Sequence, residues 1–324
     1  MRYLVTGGSG YLGTHLVYQL FASENEVVVF DDLSGHLNTK FPSPIKQIHG
    51  SIANPKDLAG LSNFGPFDGV FHLAAKKSVT ESLSDPDMYW KVNKDGTANV
   101  LNLCSKFGIK RIVATSSAAV YGASTGPNLI DENDSVNPTN TYGETKAAAE
   151  VLINAASSSG EISSLLLRSF NLAGATKPEF FDKQGENVLP IIMRSIAEGL
   201  RFEIFGGSFE TPDGTCVRDY VNVSDVADAH IKAMEYLMLS DIGIQDTANI
   251  ASGEGVSVKE LVGLISRIIG KDLEYLIGDL RPGDAAYSIG SNLKAMDIFN
   301  WMPSRGIAAI IEETASAYGL KFGM

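Results

Sequence analysis

The chain has 324 residues, with 26 Lys and Arg against 38 Asp and Glu, for a formal charge of −12. That length can bury a large core and corresponds to about two domains of ordinary size, while the acidic balance excludes a nucleic-acid or anionic-membrane footprint. A phosphorylated ligand would have to be held by a few placed cations and by backbone amides.

From the N-terminus, short apolar runs alternate with amphipathic helical patterns, the signature of a parallel sheet with crossover helices. "YLVT", "VVVFD", "KQIH", "GVFHLAA" and "RIVATSS" read as strands one to five, and "SSLLLR" as the sixth. Between the fourth and fifth, "PDMYWKVNKDGTANVLNLCSKFG" has helical apolar spacing and stops at Gly108, where a C-cap glycine belongs. After about Phe170 glycine and charge become frequent and strands shorten; "GATKPEFFDKQGEN" reads as a loop. "DYVNVSDVADAHIKAMEYL" then reads as strand, capped turn and helix, with Ser224 as its candidate N-cap. The expected fold is α/β: a doubly wound parallel sheet over residues 1–171, to which 219–251 returns, and a smaller α/β substrate region over 172–324.

The start, "MRYLVTGG", enters a strand directly without a signal-peptide pattern, and no apolar run reaches membrane-span length. Cys104 and Cys216 cannot build a disulfide framework, and the five histidines His15, His36, His49, His72 and His230 are scattered. The expectation is a cytoplasmic protein with reduced thiols and no metal.

"VTGGSGYLGTH" sets Gly7, Gly10 and Gly13 directly after the first strand and at the opening of a helix. Glycines there permit a tight turn and close pyrophosphate approach, and free amides at the helix start favour phosphate charge. The second strand ends in Asp31, about 20 residues beyond the loop, where a carboxylate accepts hydrogen bonds from the adenine ribose. That acid would repel a 2′-phosphate, so NAD is expected over NADP.

Further on come "SSAAVYG" and "YGETK". With "TGGSGYLG", these motifs make the sequence resemble the extended short-chain dehydrogenase/reductase family, and within it the UDP-glucose 4-epimerase branch. "VVVFDDLS", "FHLAAKKSVTESLSDP", "VNKDGTANVL", "LRSFNLAGA", "IFGGSFETPDGTCVRDYVNVSDVADAH" and "RPGDAAYSIG" extend the resemblance, in family order, over nearly the whole chain. It implies a retained NAD, a UDP-sugar held by the C-terminal region, and a homodimer through the helices around residues 86–107 and 140–157. Hydride would leave carbon 4 of the hexose, giving a 4-keto intermediate, and return to the other face, with no net redox change.

The resemblance assigns roles by position. Tyr142 is the base, Lys146 one helical turn on stabilises its phenolate, and Ser117 holds the reacting hydroxyl, with Ser116 as the alternative in register. A tyrosine losing its proton near neutrality needs such a charge, since its ordinary pKa is about 10. Cofactor positions are Gly7, Gly10, Tyr11, Leu12, Gly13, Asp31, Asp32, Ser51, Ile52, Leu73, Ala74, Ala75, Lys77, Asn93, Ser116, Tyr142, Lys146 and Phe170. Substrate positions are Lys77, Ser117, Tyr142, Asn171, Asn187, Val188, Glu203, Phe205, Arg218, Tyr220, Arg281, Asp284 and Ser288. Arg218 and Arg281 would clamp the diphosphate through forked hydrogen bonds, and Asp284 would bind ribose hydroxyls.

Some positions depart from the family. Ser51 stands where an acid commonly contacts adenine, Asp32, Gly35 and His36 replace an asparagine-rich turn, and Ser169 replaces a tyrosine beside the sugar. Ser288 sits where side-chain size limits the sugar pocket, so its small hydroxymethyl group leaves room for an N-acetyl at carbon 2; a one-residue slip would put Tyr287 there instead. Ala118 and Ala119 occupy the positions where related dehydratases and decarboxylases carry an acid. A uronate or pentose 4-epimerase, a net-redox nucleotide-sugar dehydrogenase and a non-catalytic NAD sensor remain as rivals, the last poorly fitted to an intact Ser117, Tyr142 and Lys146.

Overall fold

The computed structural model describes residues 1–322 except His36, Ser124, Thr125, Lys183, Gln184 and 281–283. Arg281 and His36 therefore lie outside the described residues. The strands in chain order are β1 (Arg2–Thr6), β2 (Glu26–Asp31), β3 (Lys46–His49), β4 (Gly69–His72), β5 (Arg111–Ser117), β6 (Ser163–Ser169), β7 (Asn171–Ala173), β8 (Phe202–Phe205), β9 (Val217–Asn222), β10 (Gln245–Ile250), β11 (Gly255–Ser257), β12 (Tyr275–Gly278) and β13 (Tyr287–Ser288). Seven of them form a sheet in the order β10-β6-β5-β4-β1-β2-β3, with every pairing parallel.

Leu4, Val5, Val29, Val70, Phe71, Val113, Leu165 and Leu167 are fully buried, because helices cover both faces of the sheet. Burial on both faces is why these strands read as continuous apolar runs and not as alternating ones. The fourth strand is shorter than its apolar run: β4 ends at His72, and Leu73 donates its amide to the Thr6 carbonyl as the chain leaves the sheet. Strand order reverses direction between β1 and β4, the switch point where a doubly wound sheet opens a crevice.

The helices that position the site are α1 (Tyr11–Ala22), α2 (Pro55–Ala59), α3 (Val79–Ser84), α4 (Pro86–Tyr89), α5 (Gly96–Phe107), α6 (Thr141–Ser158), α7 (Val188–Glu198), α8 (Val223–Leu239) and α9 (Val258–Ile269), followed by α10 (Leu293–Phe299) and α11 (Ile307–Ala317). The predicted helix after β4 is present, but Trp90–Asp95 between α4 and α5 is a π-helical turn, and Gly108 ends α5 at φ +67°. Such wide turns commonly mark functional positions, and this one carries Asn93. At α8 the cap is Asn222, not Ser224: the Asn222 side chain accepts the Ser224 amide. The helix starts one residue before Ser224, whose hydroxyl instead accepts from Gln19.

Beyond β6, β9 pairs with β7, β11 and β13, while β8 pairs with β12. A second core packs beneath them, built from Leu189, Ile192 and Met193 of α7, Leu261 and Ile265 of α9, and Ile310 and Ile311 of α11. Cys104 and Cys216 are both buried. Among the described residues no helix is long and apolar enough to cross a membrane.

Candidate active site

The glycine loop is shaped by close approach. Gly7 has φ +73°, and a Cβ there would lie 2.5 Å from the Ala74 nitrogen, so β1 can pass the chain leaving β4 only as glycine. A Cβ on Gly13 would lie 2.2 Å from the Gly7 carbonyl oxygen, which seats α1 directly on the turn. Gly10 differs: its nearest neighbour would be the Gly7 oxygen at 3.4 Å, leaving the space above the loop open. The N-terminus of α1 has no side-chain cap and no acid in its first turn. Amides aimed into open space at a positive helix end suit a pyrophosphate.

Asp31 closes the other side of this crevice. One carboxylate oxygen accepts the Ser9 amide at 2.9 Å and the other the Leu33 amide at 2.8 Å. Burial pushes its carboxyl above the ordinary range, opposed by those two amides. The fixed carboxylate retains lone pairs for ribose hydroxyls, so loop, helix and acid fit a dinucleotide. Asp32 accepts the Ser34 amide, and Ser51 donates its amide to Asp57 at the start of α2, beside buried Ile52.

At the end of β5, Ser117 takes extended backbone and its hydroxyl accepts the Ala119 amide at 3.2 Å. Tyr142 enters from the first turn of α6, which is capped by Asn140 and anchored where Ser82 accepts the Tyr142 amide. Burial raises the Tyr142 pKa, while a hydrogen bond with the Ser117 side chain opposes the rise. One turn on, Lys146 is 8% exposed and its ammonium donates to the Thr115 carbonyl at 2.6 Å. Burial lowers its pKa to about 8, against the opposing charge of Glu150.

Alternation along β5 separates the two serines. Ser116 points to the opposite side and donates to Glu150 at 2.5 Å. Asn93 accepts the Lys76 amide and donates to the Lys76 carbonyl and the Thr145 hydroxyl, which ties the segment after β4 to α6. Two further predicted positions have side chains engaged within the chain. The Tyr11 phenol donates to the Gly174 carbonyl, leaving only its amide for the loop. Lys77 pairs with Asp182 at 3.0 Å.

Among the positions expected to meet substrate, Arg218 and Ser288 are partners across β9 and β13, and Asn171 is the partner of Tyr220 across β7 and β9. Arg218 donates to the Val217 and Ala285 carbonyls and lies 3.7 Å from the Asp284 carboxylate. Asn171 donates to the Asp219 carbonyl. Tyr220 is buried with an unpartnered hydroxyl, and burial raises its pKa. Glu203 and Phe205 lie on β8, where Gly278 of β12 leaves the room that the Glu203 side chain fills. Exposed Asn187 precedes half-buried Val188 at the start of α7. Phe170 is buried against Gly290, and Leu12, Leu73, Ala74 and Ala75 line the loop side half-buried.

Sequence reasoning missed three residues that organise this site. Asp219 accepts the amides of Ser252, Gly253 and Gly290 and so gathers two segments, the turn after β10 and the chain leaving β13, around β9. Glu150 and Arg168 form a buried pair beneath Lys146, with bonds of 2.9 and 2.6 Å. The spacing of Glu150, four residues after Lys146, was a usable signal; Arg168 on a strand was not, because only sheet order brings it there.

Sheet, glycine loop and the Ser117, Tyr142 and Lys146 arrangement define a dinucleotide-dependent enzyme of the short-chain dehydrogenase/reductase class. Residues 3–250 match the model of the NAD dependent epimerase/dehydratase family, and the chain belongs to that family. It is 38% identical to the UDP-glucose 4-epimerase of Lacticaseibacillus casei, over 97% of this chain and 96% of that one. The UDP-glucose 4-epimerase of Brucella ovis, solved with NAD, superposes with a TM-score of 0.91 at 29% identity, over 99% of both chains. That of Thermotoga maritima, solved with UDP-glucose, gives 0.88 at 29% identity, over 98% of this chain and 99% of that one.

Proposed function

We propose that this chain interconverts UDP-hexoses by epimerisation at carbon 4, using NAD, with UDP-glucose and UDP-galactose as the primary pair. The observation that carries the reading is the meeting of Ser117 and Tyr142 side chains at the end of β5, with the Lys146 ammonium fixed one turn behind. When bound, NAD supplies an acceptor that holds and returns the carbon 4 hydride. Tyr142 takes the proton of the 4-hydroxyl as the 4-keto sugar forms and returns it when the other face is reduced. Ser117 holds that oxygen in line, and the Lys146 charge favours the ionised phenol.

In this reading residues 1–171, with 219–251, form the cofactor-binding part and the rest of 172–324 the sugar-nucleotide part. Arg218 serves the diphosphate through the donors its carbonyl contacts leave over. Exposed Met88, Trp90 and Val151 on the α4 to α6 helices support a homodimer through that face. Its setting is cytoplasmic nucleotide-sugar and galactose metabolism.

Proton NMR of a panel of UDP-sugars tests the reading, with NAD retention followed through gel filtration. The expected result is interconversion without accumulation of reduced cofactor, abolished by Tyr142→Phe. Stoichiometric reduction of added NAD would assign the chain to net redox chemistry, and full activity in Tyr142→Phe would overturn the role of that residue.

A further inference from the structure

Beneath the Tyr142 and Lys146 pair lie one further cation and one anion, sealed from solvent. Lys146 and Glu150 follow one another at a helical turn on α6, while Arg168 arrives from β6 and binds Glu150 through Nε at 2.9 Å and Nη2 at 2.6 Å. Glu150 also accepts the Ser116 hydroxyl at 2.5 Å, so three elements fix one carboxylate. Arg168 is itself held over the Tyr121 ring at 4.7 Å, and Tyr121 donates to Asn249 at 2.7 Å. The side chains of Arg168 and Glu150 are 7% and 6% exposed, which removes the solvent screening that would make such a pair inconsequential.

We propose that Glu150, braced by Arg168, is a positioning residue for the reaction: it is the counter-charge that keeps Lys146 protonated behind Tyr142, and Arg168 limits how much of the lysine's field it cancels. The inference rests on the role given to Tyr142 above.

The charge count explains the need for both residues. With Lys146 alone, burial would lower its pKa with no charge to oppose it; with Lys146 and Glu150 alone, the pair would be neutral and offer Tyr142 no net positive field. Adding Arg168 leaves one net positive charge. The other groups facing the pair do not supply that balance. His72 on β4 is kept neutral, its pKa lowered to about 3 by burial and by the Lys146 charge, and it bonds Thr6 and Thr97. Tyr89 at the end of α4 faces Tyr142 but donates to Glu81 of α3 at 2.8 Å, and burial and that bond raise its pKa. Glu132 lies beyond Tyr121, where it accepts the Asn249 amide.

Added positive charge favours loss of the proton from both Tyr142 and Lys146, so it moves both limbs of the pH profile of kcat/KM the same way. Glu150→Gln raises the local charge and should move the whole profile to lower pH, by about one unit at the alkaline limb. Arg168→Met removes a positive charge and should move it to higher pH by a similar amount. The double variant restores the net charge and should return both limbs near their wild-type positions. Opposite displacements with restoration would support the proposal. A pH-independent loss in both single variants, or displacement in the same direction, would overturn it. If Arg168→Met does not fold, Glu150→Gln and the double variant decide: an unmoved or raised alkaline limb in Glu150→Gln overturns the proposal. Tyr142→Phe is run alongside; retained activity there removes the base and this inference together, whereas its loss with unmoved limbs in the other variants removes this inference alone.

Discussion

Lys146 donates its ammonium to the Thr115 carbonyl at 2.6 Å, while the hydroxyl of that same Thr115 is bonded to His230 of α8 at 2.7 Å. One residue of β5 thus ties α6, which carries Tyr142, to the helix that follows β9. With its head fixed, the lysine acts as a placed charge.

Replacing that charge isolates its effect. Lys146→Met should reduce turnover of UDP-glucose by about 10²- to 10⁴-fold, the usual scale for acid–base assistance. Wild-type activity should fall above pH 8 as the buried ammonium, lowered to about 8, loses its proton. Burying this charge costs stability below that pH, and the cost should lessen as pH rises from 8 toward the unfolded value of about 10.4. Initial rates and urea melts across pH 7 to about 10 check both signs.

The glycine loop offers a paired test. At Gly13 the added methyl would strike backbone, 2.2 Å from the Gly7 oxygen, so Gly13→Ala should destabilise the fold by about 1–3 kcal/mol. At Gly10 the same methyl meets only one atom at 3.4 Å, so Gly10→Ala should melt near wild type yet bind NAD more weakly. Calorimetry and NAD titration together separate the two; equal melting losses would refute the distinction.

Ser288 pairs with Arg218 across β13 and β9. If its small side chain admits an N-acetyl group, Ser288→Tyr should suppress turnover of UDP-N-acetylglucosamine selectively and spare UDP-glucose. Equal loss on both substrates would contradict the assignment.

Acid stability should be limited by buried histidines. His15 and His230 are lowered to about 4 and His72 to about 3, in each case chiefly by burial. The unfolded chain binds these protons near pH 6.5 while the folded one refuses them until pH 4 or below. Stability present above 6.5 is therefore lost as pH falls through that window, on the order of a few kcal/mol for each histidine. His15→Gln should flatten the decline seen in thermal melts between pH 6.5 and 4; an unchanged slope would exclude His15 as a contributor.

The parts legible in the sequence were those with local causes. Gly7, Gly10 and Gly13 announce a turn, Gly108 a helix end, and Tyr142 with Lys146 a shared helix face, each within a few residues. Errors arose where two local causes competed. Ser224 and Asn222 both carry capping side chains, and the choice depended on where β9 stopped. The longer-range parts had no local signature. That Asp219 would gather Ser252, Gly253 and Gly290, or that Arg168 would lie under Lys146, follows from strand neighbours far apart in the chain.

The flank of α1 has a consequence of its own. Tyr11 bonds the Gly174 carbonyl, and His15 accepts the Thr176 amide at 3.3 Å, so the helix whose open end faces the phosphate space also grips the segment leading out of β7. Tyr18 and Phe180 stack at 4.7 Å along the same side. The glycine-loop helix and the segment leaving β7 therefore share a strut, and under the proposed function a substitution that tilts α1 should alter sugar affinity as well as NAD affinity.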